Sequence, residues 1–284
     1  MLQPELLLTD LAFGESPRWH DGRLWVADWG QQQILRVNRD GSREVAVQLR
    51  LPSFQPICFD WRLDGRMIVV SSRDALLLRK GPDGTLVTYA DLSSISRGLN
   101  EIVIDGRGNA YVNGGGFDVM AGEKFAPGLI VLVTPDGAVR RVGDGIAFPN
   151  GMAVTPDNST LIIAESYGKK LTAFDIAGDG TLSNGRAWAE LGDGVPDGIC
   201  IDATGAVWYA DVPNKCCVRV REGGEVLQRI SLDRGCFACM LGGDDGCTLF
   251  MVAREWRGMQ NAADDSQTGQ VLTVKAAAPH AGWP

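Results

Sequence analysis

One turn signal recurs along the chain at a near-constant step. It stands in VNRDGSRE, KGPDGTLV, VTPDGAVR and IAGDGTLS, and in a Gly-Gly form in REGGEVL. These turns begin at Asp40, Asp83, Asp136, Asp179 and Gly223, at spacings of 43, 53, 43 and 44 residues. Each joins two short apolar runs, such as QILRV or LIVLV before the turn, which is a β-hairpin signal. A second pattern of strand, polar turn and strand precedes each hairpin. Its copies are PRWHDGRLWVADW, PICFDWRLDGRMIVVSS, NEIVIDGRGNAYVNGG, NGMAVTPDNSTLIIAES, DGICIDATGAVWYADV and CMLGGDDGCTLFMVARE. No stretch has a helical period. Six units of roughly 40–50 residues with four short strands each match the blades of a propeller. The sequence therefore predicts an all-β, six-bladed β-propeller, with residues 1–284 as one domain. The last unit has only a third strand, in TGQVLTVKAAAP. The N-terminal ELLLTDLAF is expected to supply its fourth and close the ring.

Charge and composition narrow the function classes. Net charge is −8 and no Lys/Arg run stands out, which argues against nucleic acid and anionic membranes as partners. The N-terminus has no basic start, and no stretch approaches a membrane span, so a cytoplasmic location is expected. The two histidines rule out HExxH and three-His metal sites. His20 sits in WHDG, read as a hairpin turn, and His280 lies in the tail. Cys236 and Cys239 form one CxxC without a second pair among the seven cysteines. They read as small buried hydrophobes, neither zinc ligands nor nucleophiles.

Two pieces, FPNGMAV and VPDGICI, are nearly alike and differ in one side-chain oxygen, an amide at Asn150 and a carboxylate at Asp197. Taken singly, Asn-Gly and Asp-Gly are ordinary turn pairs. Glu15, before Ser16-Pro17, is not a turn residue. Aligning the units puts Glu15, Asn100, Asn150 and Asp197 at or next to the axial entrance of the innermost strand. A propeller brings that position of every blade to the central channel. Two carboxylates and an amide oxygen, without thiolate or imidazole, suit one hard divalent cation. Calcium, magnesium or manganese is favoured; zinc and iron are admissible but less favoured by ligand softness.

The pieces GESPRW, NEIVID.RGNAYV, FPNGMAVTPD, VPDGICIDATGAVWYAD and GCFACMLGG resemble, in order, the SMP-30/gluconolactonase/LRE family. The resemblance implies a six-bladed propeller with one divalent metal in the channel, held by Glu15, Asn150 and Asp197. It implies hydrolysis of a small lactone. The cation would polarise the ring carbonyl, and Asp197 would serve as general base as well as ligand. The family's Asn-Asp pair falls on Asn100-Glu101. Sugar-lactone members carry an arginine two residues before that Asn, where this chain has Gly98, with Arg97 one position away. Asn100, Arg97 and Glu101 are the expected substrate contacts. The rival readings are a non-catalytic, metal-stabilised propeller binding a ligand or partner, and ester or organophosphate hydrolysis on the same scaffold.

The loop NGGGFDVMAGEKFAPG, Asn113 to Gly128, accounts for the 53-residue step. Its Phe117, Met120 and Phe125 are expected to form a lid over the channel mouth. Together with Gly98 they predict a preference for a less hydroxylated, partly apolar lactone. If Arg97 and Glu101 supply the missing polar contacts, that preference disappears.

Overall fold

The structure is a computed structural model that describes residues 3–51, 54–118, 121–264 and 266–284. Six antiparallel sheets stand in a ring, forming a six-bladed β-propeller. The innermost strands, in blade order, are Gly14–His20, Ile57–Trp61, Leu99–Ile104, Pro149–Val154, Pro196–Asp202 and Gly235–Gly242. Each packs on the innermost strands of both neighbouring blades. Among the described residues the only helix is a single 3-10 turn, Met259–Asn261, and none is long and apolar enough to cross a membrane.

The strands form where the repeat placed them because both faces of each blade are covered. In the third blade Ile102, Ile104, Val112 and Val131 face the second blade. Val103, Tyr111, Ile130 and Leu132 face the fourth. Period-two alternation thus separates two cores rather than core from water. A strand such as Gly128–Val133 is buried along its whole length. Six apolar clusters fill the six gaps between blades. Six of the seven cysteines belong to these gaps, Cys247 being the exception. Cys236 and Cys239 pack between the fifth and sixth blades, with Cys239 Sγ 4.0 Å from Cys200 Sγ. Burial pushes the Cys239 thiol well above its ordinary pKa, away from the reactive thiolate.

The ring closes as expected. Glu5–Leu11 is the outer strand of the sixth blade, paired with Gly269–Lys275. A second closure was not legible in the sequence. His280–Ala281 adds a fifth strand to the fifth blade, on the Ile201–Asp202 end of its innermost strand. Trp283 then exchanges two backbone hydrogen bonds with Val154 of the fourth blade, at 2.8 and 2.9 Å. The C-terminal segment therefore bridges the inner strands of the fifth and fourth blades at the end away from Asn150 and Asp197.

Candidate active site

The four entrance residues are placed by defects in the sheet. The innermost strands shift register between Glu15 and Arg18, Leu99 and Glu101, Pro149 and Met152, and Pro196 and Ile199. A bulge adds a residue to one strand and turns its side chain out of the ladder. The second blade has no shift, and Ile57 pairs directly with Ser71. Glu15, Asn100, Asn150 and Asp197 all border one cavity of about 460 Å³ at the mouth of the channel.

Asn150-Gly151 and Asp197-Gly198 are not turns, as each read singly suggests. Both pairs lie inside strands, and neither glycine has a positive φ. The glycines are needed for close approach. A Cβ on Gly151 would stand 2.5 Å from the Ile199 nitrogen, and one on Gly198 2.7 Å from the Ala238 Cα. Neighbouring inner strands converge there, which draws the polar residues beside them together.

The polar groups form one network. Asn100 Nδ2 donates to the Pro149 carbonyl at 3.1 Å, which leaves its Oδ1 for a ligand. Asn150 Nδ2 donates to Ser166 Oγ at 3.3 Å, and the Ser166 hydroxyl donates to the Pro196 carbonyl at 2.7 Å. Asn113, fully buried, donates to the Asn150 carbonyl at 2.6 Å. Ser166 and Asn113 thus tie the third, fourth and fifth blades together beneath the candidate ligands. Neither carries a sequence signal of that role.

The electrostatics are those of a site with too few cations. Burial raises the Glu15 pKa to about 8; the Ser16 N–H at 2.7 Å opposes this and the nearby Glu101 adds to it. Withdrawal from water and then the Glu15 charge hold Asp197 well above the carboxylate range. Burial lifts Asp60 to about 6. The guanidinium among them, Arg18, is committed elsewhere. It binds Glu101 Oε1 at 2.9 Å and the carbonyls of Ile102 and Pro17 at 2.7 and 3.0 Å. Among the described residues Glu15 and Asp197 have no ion pair. Two like charges cannot share such a site without a counter-ion. A divalent cation matches both their charge and their hard oxygens. Among the described residues no group of three or more His, Cys, Asp and Glu side chains has metal-holding geometry. The candidate set has two carboxylates and completes itself with an amide.

The expected substrate contacts differ in their surroundings. Asn100 faces the cavity. Glu101 borders it but is 7% exposed and held by Arg18, by the Ile102 N–H at 2.8 Å and by the Ser16 hydroxyl at 3.3 Å. Arg97 also borders the cavity, but it is exposed and paired with Glu123 of the 115–127 loop at 2.9 Å, which engages its guanidinium. Of the lid residues, Phe117 borders the cavity and packs against Phe148 at 5.8 Å. Phe125 stands behind it, 51% exposed, against Tyr167. Met120 lies outside the described residues. The connection 255–268 of the sixth blade, which contains the 3-10 turn, brings Trp256 and Met259 to the cavity. Sequence reading passed over it because it lies beyond the last repeated turn.

A family model described as SMP-30/Gluconolactonase/LRE-like region matches residues 13–255. The chain belongs to this family. Pentonolactonase XacC of Haloferax volcanii is 24% identical over 271 residues, spanning 92% of this chain and 88% of its own. Diisopropyl-fluorophosphatase of Loligo vulgaris is 31% identical over 191 residues, 60% of each chain. The crystal structure of a calcium-binding protein, regucalcin, from Agrobacterium tumefaciens superposes with a TM-score of 0.78 at 19% identity, covering 99% of this chain and 97% of that one. That likeness concerns the fold. The family match begins at Phe13, two residues before Glu15, and so takes in every candidate ligand of this SMP-30-like chain.

Proposed function

We propose that this protein is a divalent-metal-dependent lactone hydrolase, with residues 1–284 as one propeller domain acting in the cytoplasm. The observation that carries the reading is the convergence of Glu15, Asn150 and Asp197 on one cavity while Arg18 is held by Glu101. Family membership and the pentonolactonase relative support it. Glu15, Asn150 and Asp197 would hold the cation, with calcium, magnesium or manganese preferred for these oxygens. Bound there, the cation supplies a Lewis acid for the lactone carbonyl.

The chain's own groups do the rest. Asp197 opens onto the cavity and accepts a proton from the attacking water. The new C–O bond forms as the ring C–O bond breaks, and Asp197 returns the proton to the departing ring oxygen. The product is one hydroxy acid. Asn100 Oδ1 orients the water or the substrate. Glu101, bound to Arg18, borders the substrate. Phe117 and Phe148 narrow the mouth and exclude bulk water.

The test is proton release from a lactone panel before and after EDTA treatment and metal restoration. Hydrolysis should vanish with the metal, and Asp197→Ala should lose both metal content and activity. Turnover unaffected by EDTA, or full metal content in Asp197→Ala, would sink the reading. The 31% identity with diisopropyl-fluorophosphatase favours one second reading, phosphorus-ester hydrolysis by the same residues. Fluoride release from diisopropyl fluorophosphate, with no lactone turned over, would select it.

A further inference from the structure

Two residues before each bulged ligand position, the chain carries the wall of the cavity. Phe13, Gly98, Phe148 and Val195 precede Glu15, Asn100, Asn150 and Asp197 by that step, and all four border the cavity. Three are apolar and the fourth has no side chain. The wall is thickest over the sixth and first blades. There Phe13 stacks on Trp29 at 4.9 Å, Phe237 meets Phe13 edge-on at 4.9 Å, and Trp256 meets Phe237 at 5.4 Å. Arg254 braces Phe13, its guanidinium 4.6 Å from the ring centroid, and is itself held by the Ala262 carbonyl and Asp264. The Trp29 indole N–H is satisfied by the Ile57 carbonyl at 2.7 Å, so its ring is what remains for a ligand.

Several polar residues also border the cavity, among them Ser72, Arg73, Arg97 and Asp118, and one of them, Gln55, carries a buried atom without a partner among the described residues. Gln55, 2% exposed, borders the cavity from the second blade beside Phe54. Its Oε1 accepts the Arg73 N–H at 2.8 Å, but among the described residues its Nε2 has no partner. An unpaired buried amide donor is destabilising. It has a use if a ligand oxygen meets it.

We infer that the lactone taken by this site carries an aromatic or compact alkyl group against the Phe13–Trp29–Phe237–Trp256 wall, with one acceptor oxygen for Gln55 Nε2, and is not a polyhydroxylated sugar lactone. This rests on the lactone-hydrolase reading and narrows it. An aromatic group gains contact with stacked rings. A sugar would press several hydroxyls against carbon and leave them unpaired.

The experiment compares kcat/KM for dihydrocoumarin, γ-butyrolactone and glucono-δ-lactone on one metal-loaded sample, and titrates the tryptophan emission with dihydrocoumarin and with glucono-δ-lactone. Dihydrocoumarin should exceed gluconolactone by about tenfold or more, and should quench the emission at lower concentration. Trp256→Ala, a half-buried loop residue, should lower dihydrocoumarin turnover by about tenfold and γ-butyrolactone turnover by less than about threefold. Gln55→Leu should raise KM for dihydrocoumarin. A sugar lactone that wins, or Trp256→Ala acting equally on both lactones, overturns the inference and leaves lactone hydrolysis intact. If no lactone is hydrolysed, the parent reading fails, and the fluorescence titration still decides whether the wall takes an aromatic ring. No quenching by dihydrocoumarin would then refute the inference as well.

Discussion

Single residues in this propeller change roles according to which neighbour they meet. Gly151 and Gly198 look like turn residues and act as spacers between converging strands. Gly98 is the opposite case. An added Cβ there meets nothing nearer than the Ser72 carbonyl oxygen at 3.7 Å, and its φ lies outside the left-handed region. A side chain is sterically admissible at this position, which borders the cavity. Gly98→Arg should therefore leave stability within about 0.5 kcal/mol, as surface-type substitutions do. It should raise kcat/KM for glucono-δ-lactone by about tenfold, through hydrogen bonds to hydroxyls otherwise unpaired. Steady-state kinetics with a thermal melt checks both halves. A variant that folds normally and gains nothing on gluconolactone would show that the third-blade wall does not set polarity.

At the scale of elements, burial is graded outward along each blade. Inner and middle strands are covered on both faces. Outer strands such as Arg43–Gln48 are largely exposed. The strand Glu5–Leu11 is an outer strand too, yet Leu11 is fully buried and Leu8 is 7% exposed, because they pack between the sixth and first blades. The closure is therefore held by side chains as well as by backbone pairing. Leu11→Ala should cost about 2–5 kcal/mol, as for other buried leucines. Val45→Ala, in the exposed outer strand of the first blade, should stay within about 0.5 kcal/mol. Urea unfolding of both variants distinguishes them. Equal, small losses would mean that the N-terminal strand adds little to ring stability.

For the whole molecule the decisive quantity is the charge gathered at the channel. Glu15, Asp60 and Asp197 all have pKa values raised by burial. A carboxylate whose folded pKa is raised binds its proton more tightly in the native state than in the unfolded chain. The stability it contributes is present below the unfolded value, near 4. It is lost as pH climbs through the folded value, about 6 for Asp60 and about 8 for Glu15. Metal-free protein should thus melt at a lower temperature at pH 8 than at pH 5. A divalent cation binds the ionised form, so the Tm difference between metal-loaded and EDTA-treated protein should widen over the same interval. Differential scanning fluorimetry at the two pH values measures it. A difference that is flat or shrinks with pH would separate these carboxylates from the cation.

The sequence by itself determined the repeat, and the repeat determined the ring. A four-strand unit has two apolar faces and no way to cover them except with its neighbours. The positions of Glu15, Asn100, Asn150 and Asp197 were legible for the same reason, since equivalent positions of stacked units meet at the axis. What surrounds them was decided by tertiary structure. Arg18 and Glu101 are 83 residues apart, and nothing local signals that they pair. Gln55 meets the Arg73 N–H through its oxygen, and among the described residues its Nε2 meets no partner, a pairing that only the folded ring sets. The aromatic wall draws on three separate pieces of chain, around Phe13 and Trp29, at Phe237 and at Trp256. Its members touch because the first and last blades close on each other. The strap at the far end depends on a two-residue strand too short to carry a period. Periodic burial is written in local pattern, whereas pairing across blades depends on distances that exist only once the ring has closed.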